Sequence, residues 1–263
     1  MQAISLAVIT HNSEKILADC LRSVQGLVSE IVLVDEHSSD KSRAIAQEFN
    51  AKVAAKKLES CALQKKYALD QAACPWIFLL DSDETCTSEL AEEIKKKVEN
   101  SDNVSAYRIP RKNIYFGKWL KYGGKYPDYQ VRLYKKGAAR YSEHFSHEKV
   151  MVNGPTGTLN CAIEHHAYPD IDTWFMKLKR TAEFDAMEME RSGLRPSFLN
   201  HVRFCALRPV IRFDRRYFLK GGFLDGIPGL LACLHDALTQ ILAYFIFSRK
   251  FAAKNSPKVS QLA

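Results

Sequence analysis

With 263 residues, 46% hydrophobic and 26% charged, the chain is long enough to bury a full core, and its composition excludes a disordered or disulfide-stapled scaffold. A formal net charge of +8 favours anionic partners (nucleotide sugars, nucleic acid or an anionic membrane face) without ranking them. The seven cysteines are odd in number and form no C-x-x-C pair, so they read as reduced thiols of a cytoplasmic protein rather than as a zinc site.

The opening MQAISLAVITHN lacks the basic start and cleavage site of a signal peptide, and its apolar run predicts a buried strand over residues 4–10. Ile16, Leu17, Cys20, Leu21 and Val24 then recur at helical spacing behind Asn12 and Ser13, which are expected to cap that helix. A second strand is predicted over 30–36, a helix from Ser39 or Asp40, a third strand over 52–55 and a helix over 63–73. A fourth strand over 76–81 precedes a helix with Leu90, Ile94 and Val98 on one stripe. Continuous apolar strands alternating with amphipathic helices predict an α/β fold with a mostly parallel sheet. Ligands bind at the carboxyl ends of such strands, which places residues 10–12, 35–40 and 81–84 on one rim.

Beyond residue 100, AYRIPRKNIYF and YQVRLYKK alternate like strands of a mixed sheet, with Gly123 and Gly124 turning between them. From Asp172 the pattern is helical up to Gly193, and two basic, aromatic stretches follow behind Pro196 and Pro209. Residues 223–247 are the only candidate span, but Asp225, His235 and Asp236 oppose it, since an acidic residue near a helix centre costs about 2.5 to 3.5 kcal/mol. The segment is expected to lie on a membrane or in a core. Arg212, Arg215, Arg216 and Lys220 interleave with Phe213, Tyr217, Phe218 and Phe223, a mixture suited to an anionic membrane surface. Packing on the rest of the chain is the alternative. No nucleic-acid motif accompanies the stretch, and no nucleic-acid partner is expected.

The stretch WIFLLDSDETCTSEL carries Asp81 and Asp83 where an apolar strand meets solvent. Residues two apart on a strand face the same side, so both carboxylates could meet one ligand while Ser82 turns away. Such a pair suits Mg2+ or Mn2+, which bind through one or two carboxylates plus substrate phosphates. Acidic residues also simply favour a helix start. The string DSDET further fits the D-x-D-x-T pattern of haloacid dehalogenase-type phosphohydrolases, although that motif sits on their first strand and needs a later acidic pair.

Taken in order, VITHNSEKILADCLRSV, EIVLVDEHSSDKSRAIA, LQKKYALDQA, WIFLLDSDETCTSEL, YRIPRKNIYFGKWLKYGGKYPDYQVRLYKKG, HEKV and GGFLDGIPG resemble the inverting glycosyltransferases of family 2, in particular their lipopolysaccharide-core branch, over residues 2–250. The resemblance implies a Rossmann-like GT-A domain over 1–170, with a donor half (1–100) and an acceptor half (101–170). A helical membrane-associating extension would follow over 171–263. It implies transfer of glucose or another hexose or heptose from a nucleotide sugar, with a UDP-sugar expected, to a lipid-linked core oligosaccharide at the inner face of the cytoplasmic membrane. A non-catalytic nucleotide-binding or membrane-surface module of the same fold is the other reading.

By position, Thr10, Asn12 and Glu14 match the first nucleotide loop, Asp35 the base contact with Ser38 and Asp40 behind it, and Gln64 and Lys65 the helix that leans on the donor. Asp81 and Ser82 would face the donor and Asp83 the metal, with His165, of the pair His165 and His166, as an additional metal ligand. His11 and Glu36 depart from the usual family residues beside the base pocket. An inverting transfer needs a carboxylate to take the acceptor proton. The candidates are Glu148 in HEK, which is favoured, and Asp128 in YPDYQVRL, which could instead pair with Arg132. Arg111, Lys112, Arg132 and Lys135 could hold phosphates.

Overall fold

A computed structural model describes residues 2–57, 60–100, 103–141 and 150–255, so Glu148 and His147 lie outside the described residues. The chain divides into two compact units, residues 1–113 with 126–167 and residues 114–125 with 168–263.

The first unit begins with β1 (Ile4–Thr10), α1 (Leu17–Arg22), β2 (Glu30–Asp35), α2 (Ser42–Glu48), β3 (Lys52–Ala55), α3 (Cys61–Gln71) and β4 (Trp76–Asp81). β5 (Glu84–Cys86), α4 (Ser88–Glu99), β6 (Ala106–Tyr115) and β8 (Asp128–Lys135) follow, and the short β7 (Lys118–Trp119) between the last two falls in the stretch that belongs to the second unit. The remaining strands are β9 (Ala139–Tyr141), β10 (Val150–Val152), β11 (Thr156–Thr158) and β12 (Ile163–Tyr168). The main sheet runs β3-β2-β1-β4-β8-β6-β12-β5. Its first four strands are parallel, and β8 joins β4 antiparallel, so the predicted parallel half and mixed half are both present. Side chains of β1 and β4 are buried almost throughout, which is why these strands read as unbroken apolar runs rather than as an alternation.

Helix starts follow local chemistry. Thr87 accepts the Leu90 amide (3.2 Å) ahead of the Leu90, Ile94 and Val98 stripe of α4, and Ser60 accepts the Leu63 amide (3.3 Å) ahead of α3. The predicted caps of the first helix are corrected: α1 starts at Leu17 without a side-chain cap, and Asn12, at φ +49°, directs its carbonyl to the Ser39 amide (2.9 Å) instead. Asp40 does mark a start, accepting the Ser42 amide at 3.0 Å just ahead of α2.

In the second unit, α5 (Ile171–Arg191) is capped by Asp170, which accepts the Thr173 amide (2.7 Å), and it stops before Gly193 at φ +71°. α6 (Phe198–Val202) and α7 (Arg208–Asp214) form one run with π-helical turns over 203–207 and 215–219. Pro209 lacks the N–H that would bond to Cys205 and its ring crowds that carbonyl, so the widened turn before it lets the helix pass a residue that would otherwise end it. α8 (Gly226–Asn255) closes the unit. The helical stretch Gly222–Lys254 is long and apolar enough to cross a membrane, with mean hydropathy 1.6, yet 44% of its apolar window is buried within the structure. Ala232, Cys233, Ala243, Tyr244 and Phe247 are buried on it, and the Trp174 indole donates to Leu231 O at 3.3 Å, so one face of α8 packs on α5.

The hairpin 114–125 belongs to this unit: Lys118 Nζ donates to Asp225 O (2.7 Å) and the Tyr122 amide to the Asp225 carboxylate (2.9 Å). A half-buried ion cluster reinforces it, with Lys125 (3.0 Å) and Arg216 (2.6 Å) sharing Asp236 Oδ2.

Candidate active site

The register of the parallel strands sets Thr10 beside Asp35 and Ile9 beside Asp81, so the loops after β1, β2 and β4 emerge on one edge of the first unit. These loops are tied to one another. The Asn12 amide donates to Ser38 Oγ (2.9 Å), the Glu14 amide to Asp40 (2.9 Å) and the Lys41 amide back to Glu14 (3.1 Å). Asp35 is fully buried, accepts the Ser38 amide (3.0 Å) and hydroxyl, and pairs with Arg43 Nε (2.7 Å). Ser13 Oγ meets Ser82 Oγ at 2.9 Å and links the first loop to the β4 turn. Thr10 Oγ1 is buried on the same edge with no hydrogen-bond partner among the described residues.

The two aspartates of the D-x-D stretch do not share a direction. β4 ends at Asp81 and the chain turns at residues 82 and 83, so the two-residue strand period stops there and the expectation of a common face is corrected. Asp81 meets Lys65 Nζ (3.1 Å) and Arg132 Nη2 (2.6 Å). Burial alone would raise its pKa, but the two cations more than offset that and hold the carboxyl well below the ordinary range. Asp83 keeps a fifth of its side chain exposed and lies 3.4 Å from His165 Nε2, while its carbonyl accepts the His166 amide (2.9 Å).

Glu84 lies between the two arms and is fully buried. Its Oε2 accepts the Asp81 amide (3.0 Å), fixing the turn, and its Oε1 accepts from Arg132 (2.6 Å) and Arg111 (3.1 Å). Arg111 continues to Asp128, with Nε at 2.9 Å and Nη2 at 2.6 Å from Oδ2. Asp128 also accepts from Gln130 (2.8 Å) and Asn113 (3.4 Å). Burial pushes the Asp128 carboxyl upward, and Arg111 with the amide donors brings it below its ordinary value. Asn113 Oδ1 meets His165 Nδ1 at 2.7 Å, which closes a ring of contacts from Asp81 through Arg132, Glu84, Arg111, Asp128, Asn113 and His165 to Asp83.

The structure therefore brings Lys65, Asp81, Asp83, Asp128 and His165 together, with Thr10, Asn12, Glu14, Asp35, Ser38, Asp40 and Ser82 along the same loops. Gln64 is buried beside Lys65 on α3. In place of the Asp128 to Arg132 pairing offered as the alternative, Asp128 pairs with Arg111, because β8 and β6 set residues 111 and 128 opposite one another. Arg111 and Arg132, expected to hold phosphates, are engaged by carboxylates. The sequence reading passed over Asn113 and gave Glu84 no role. Arg111 and Asn113 are two apart on β6 and so share a face, a signal that becomes useful only once Asp128 is known to lie across from Arg111.

Asp83 Oδ2 and His165 Nε2 are an oxygen and a nitrogen donor close enough to share one cation. Among the described residues no group of three or more His, Cys, Asp or Glu side chains could hold a metal by itself. The donor set thus fits an ion that takes its remaining ligands from water or from a bound anion.

A family model described as Glycosyl transferase family 2 matches residues 5–163. A lipopolysaccharide core biosynthesis glycosyltransferase, LpsC of Rhizobium meliloti, is 26% identical over 97% of this chain and 96% of its own length. An uncharacterized glycosyltransferase of Rickettsia typhi is 28% identical over 86% of this chain and 82% of that protein. The solved structure of S. aureus TarS residues 1-349 covers 96% of this chain and 92% of its own, with 15% identity and a TM-score of 0.48.

Proposed function

Because the chain belongs to glycosyl transferase family 2, we propose that it moves a hexose or heptose from a nucleotide-sugar donor, with inversion, onto a lipid-linked lipopolysaccharide core oligosaccharide. The observation that carries this reading is the pairing of Asp83 with His165 at the end of β4, beside the tied loops after β1 and β2. The loops 10–14 and 35–40, with Gln64 and Lys65, hold the nucleotide. Lys65 and Arg132 keep Asp81 ionised and fixed at the donor side of the turn. Asp83 and His165 hold Mn2+ or Mg2+, which when bound offsets the charge of the departing nucleoside diphosphate.

The acceptor hydroxyl attacks the anomeric carbon from the side opposite the leaving group and gives up its proton to a carboxylate. Asp128 is committed to Arg111, Gln130 and Asn113, and a carboxylate so well satisfied is a weak base. Glu148 is therefore assigned the proton. Family membership favours this transfer over D-x-D-x-T phosphoryl chemistry, in which Asp81 would have to attack as a nucleophile while paired to two cations.

The second unit supplies attachment to the inner face of the cytoplasmic membrane. Leu219, Phe198, Leu199 and Ile211 are 83, 81, 78 and 62% exposed along one helical run that also carries Arg208, Arg212 and Arg215. Apolar side chains standing free among arginines match the interface of an anionic leaflet.

One thermal-shift screen with Mn2+ tests the donor reading, using UDP-glucose, UDP-galactose and ADP-heptose. At least one is expected to stabilise the protein, and to lose part of that effect when EDTA replaces Mn2+. No stabilisation by any of them, with Asp83→Ala behaving as the parent does, would overturn it.

A further inference from the structure

Asn113 is 7% exposed and belongs to no nucleotide loop, yet it lies between two of the groups named above. Which edge of its amide faces which neighbour follows from its partners. Asp128 Oδ2 already accepts from Arg111 Nε (2.9 Å) and Nη2 (2.6 Å) and has no hydrogen to offer, so the amide edge toward it is the NH2 group, 3.4 Å away. The other edge, the carbonyl oxygen, then faces His165 Nδ1 at 2.7 Å. A carbonyl oxygen cannot donate, so Nδ1 must carry the hydrogen. In the neutral ring this leaves the lone pair on Nε2, the nitrogen 3.4 Å from Asp83 Oδ2.

We propose that Asn113 is a positioning residue that fixes His165 as the Nδ1–H tautomer, with Arg111 and Asp128 orienting the Asn113 amide in turn, so that an unprotonated nitrogen faces the cation site beside Asp83. Without Asn113 the proton can move to Nε2, where Asp83 would accept it, and a cation would have to displace that hydrogen before using the nitrogen. Ring nitrogens that bind metals behave this way generally: the partner on the far nitrogen sets the tautomer and the ring orientation. Asp128 thus serves the cation side of the site through Asn113 and not as the proton acceptor. The assignment of the tautomer stands on hydrogen-bond geometry alone, whereas its consequence for cation binding rests on the metal reading given above.

Two measurements on the full chain separate these parts. In metal-free protein at alkaline pH, long-range 1H–15N spectra of the imidazoles, with His165 identified from the His165→Gln spectrum, are expected to show His165 protonated at Nδ1. Protonation at Nε2 would overturn the proposal without any variant having to fold. Manganese EPR titrations in the presence of UDP then compare parent, Asn113→Ala and His165→Ala. Asn113→Ala is expected to weaken Mn2+ binding by about tenfold to a hundredfold, to shift His165 toward Nε2–H, and to leave UDP binding in EDTA unchanged. Unchanged Mn2+ affinity in Asn113→Ala, alongside a loss in His165→Ala, would overturn the positioning role while leaving the metal site intact. Unchanged affinity in both His165→Ala and Asp83→Ala would overturn the metal reading and the cation role of Asn113 with it, while the imidazole spectrum still decides the tautomer.

Discussion

Both units bury a cluster of charged side chains, and the clusters differ in how they end. In the first unit Asp81, Arg132, Glu84, Arg111 and Asp128 lead through Asn113 to Asp83 and His165, both of which keep part of their surface in solvent. In the second unit Lys125, Asp236 and Arg216 adjoin His235, whose ring lies 5.2 Å from Tyr168 and 5.3 Å from Trp174, so this cluster ends in packed aromatics. A buried ion network is costly to assemble, and its attraction repays the lost hydration only when the geometry is good. What marks one network as a site is therefore not buried charge as such. It is the presence of a carboxylate and an imidazole that the network sets side by side on the strand-end rim.

The sharpest way to separate the two clusters is to remove their ends. Asp83→Asn is expected to lower turnover by at least about a thousandfold, roughly 4 kcal/mol of transition-state stabilisation, with little change in the melting temperature of the ligand-free protein. Steady-state assays together with calorimetry check this. A variant that keeps near-parental turnover would put the first cluster in the same structural class as the second.

Cutting each network in its middle is expected to look alike in stability and different in binding. Arg132→Met leaves Asp81 and Glu84 without their shared cation, and Asp236→Leu leaves Lys125 without its carboxylate. Breaking a buried pair from one side costs about 3 to 5 kcal/mol, so urea midpoints should fall for both. Only Arg132→Met is expected to weaken nucleotide binding as well, because only its partners form part of the strand-end rim. Equal nucleotide affinity in the two variants would break the distinction.

The sequence carried the first unit's frame clearly because parallel strands buried on both faces leave unbroken apolar runs, as in Ile4–Thr10 and Trp76–Asp81. It carried the short strands β5 and β12 poorly. Glu84–Cys86 is only three residues long and contains a buried glutamate, and Ile163–Tyr168 holds two histidines, so neither reads as a strand until the other pairs with it. The site was legible as a set of strand ends and only partly as geometry. That Asp81 would meet one set of partners and Asp83 another depends on Arg132 and His165, which lie 51 and 82 positions from the aspartate each meets. Helical spacing likewise predicted α5 to within two residues at either end, whereas the π-helical turns around α7 answer to Pro209 and to packing that no periodicity records.

The smallest of these effects tests the closed end of the second cluster by pH. Burial pushes the His235 imidazole down from 6.5 to about 4, with Asp236 acting against that shift and Lys125 and Lys177 adding to it. The folded state therefore binds its proton later than the unfolded state as pH falls. Stability contributed by the neutral ring is complete above about pH 6.5 and is lost progressively down to about pH 4, amounting to roughly 2 kcal/mol between pH 7 and pH 5. Urea melts across that interval should show the loss in the parent and a flatter profile in His235→Gln. Because His235 touches Tyr168 and Trp174 rather than the strand-end rim, nucleotide affinity at pH 7 should be the same in both proteins. A His235→Gln protein that loses nucleotide binding at pH 7 would mean that the second cluster is coupled to the first unit's site and does not end in its own core.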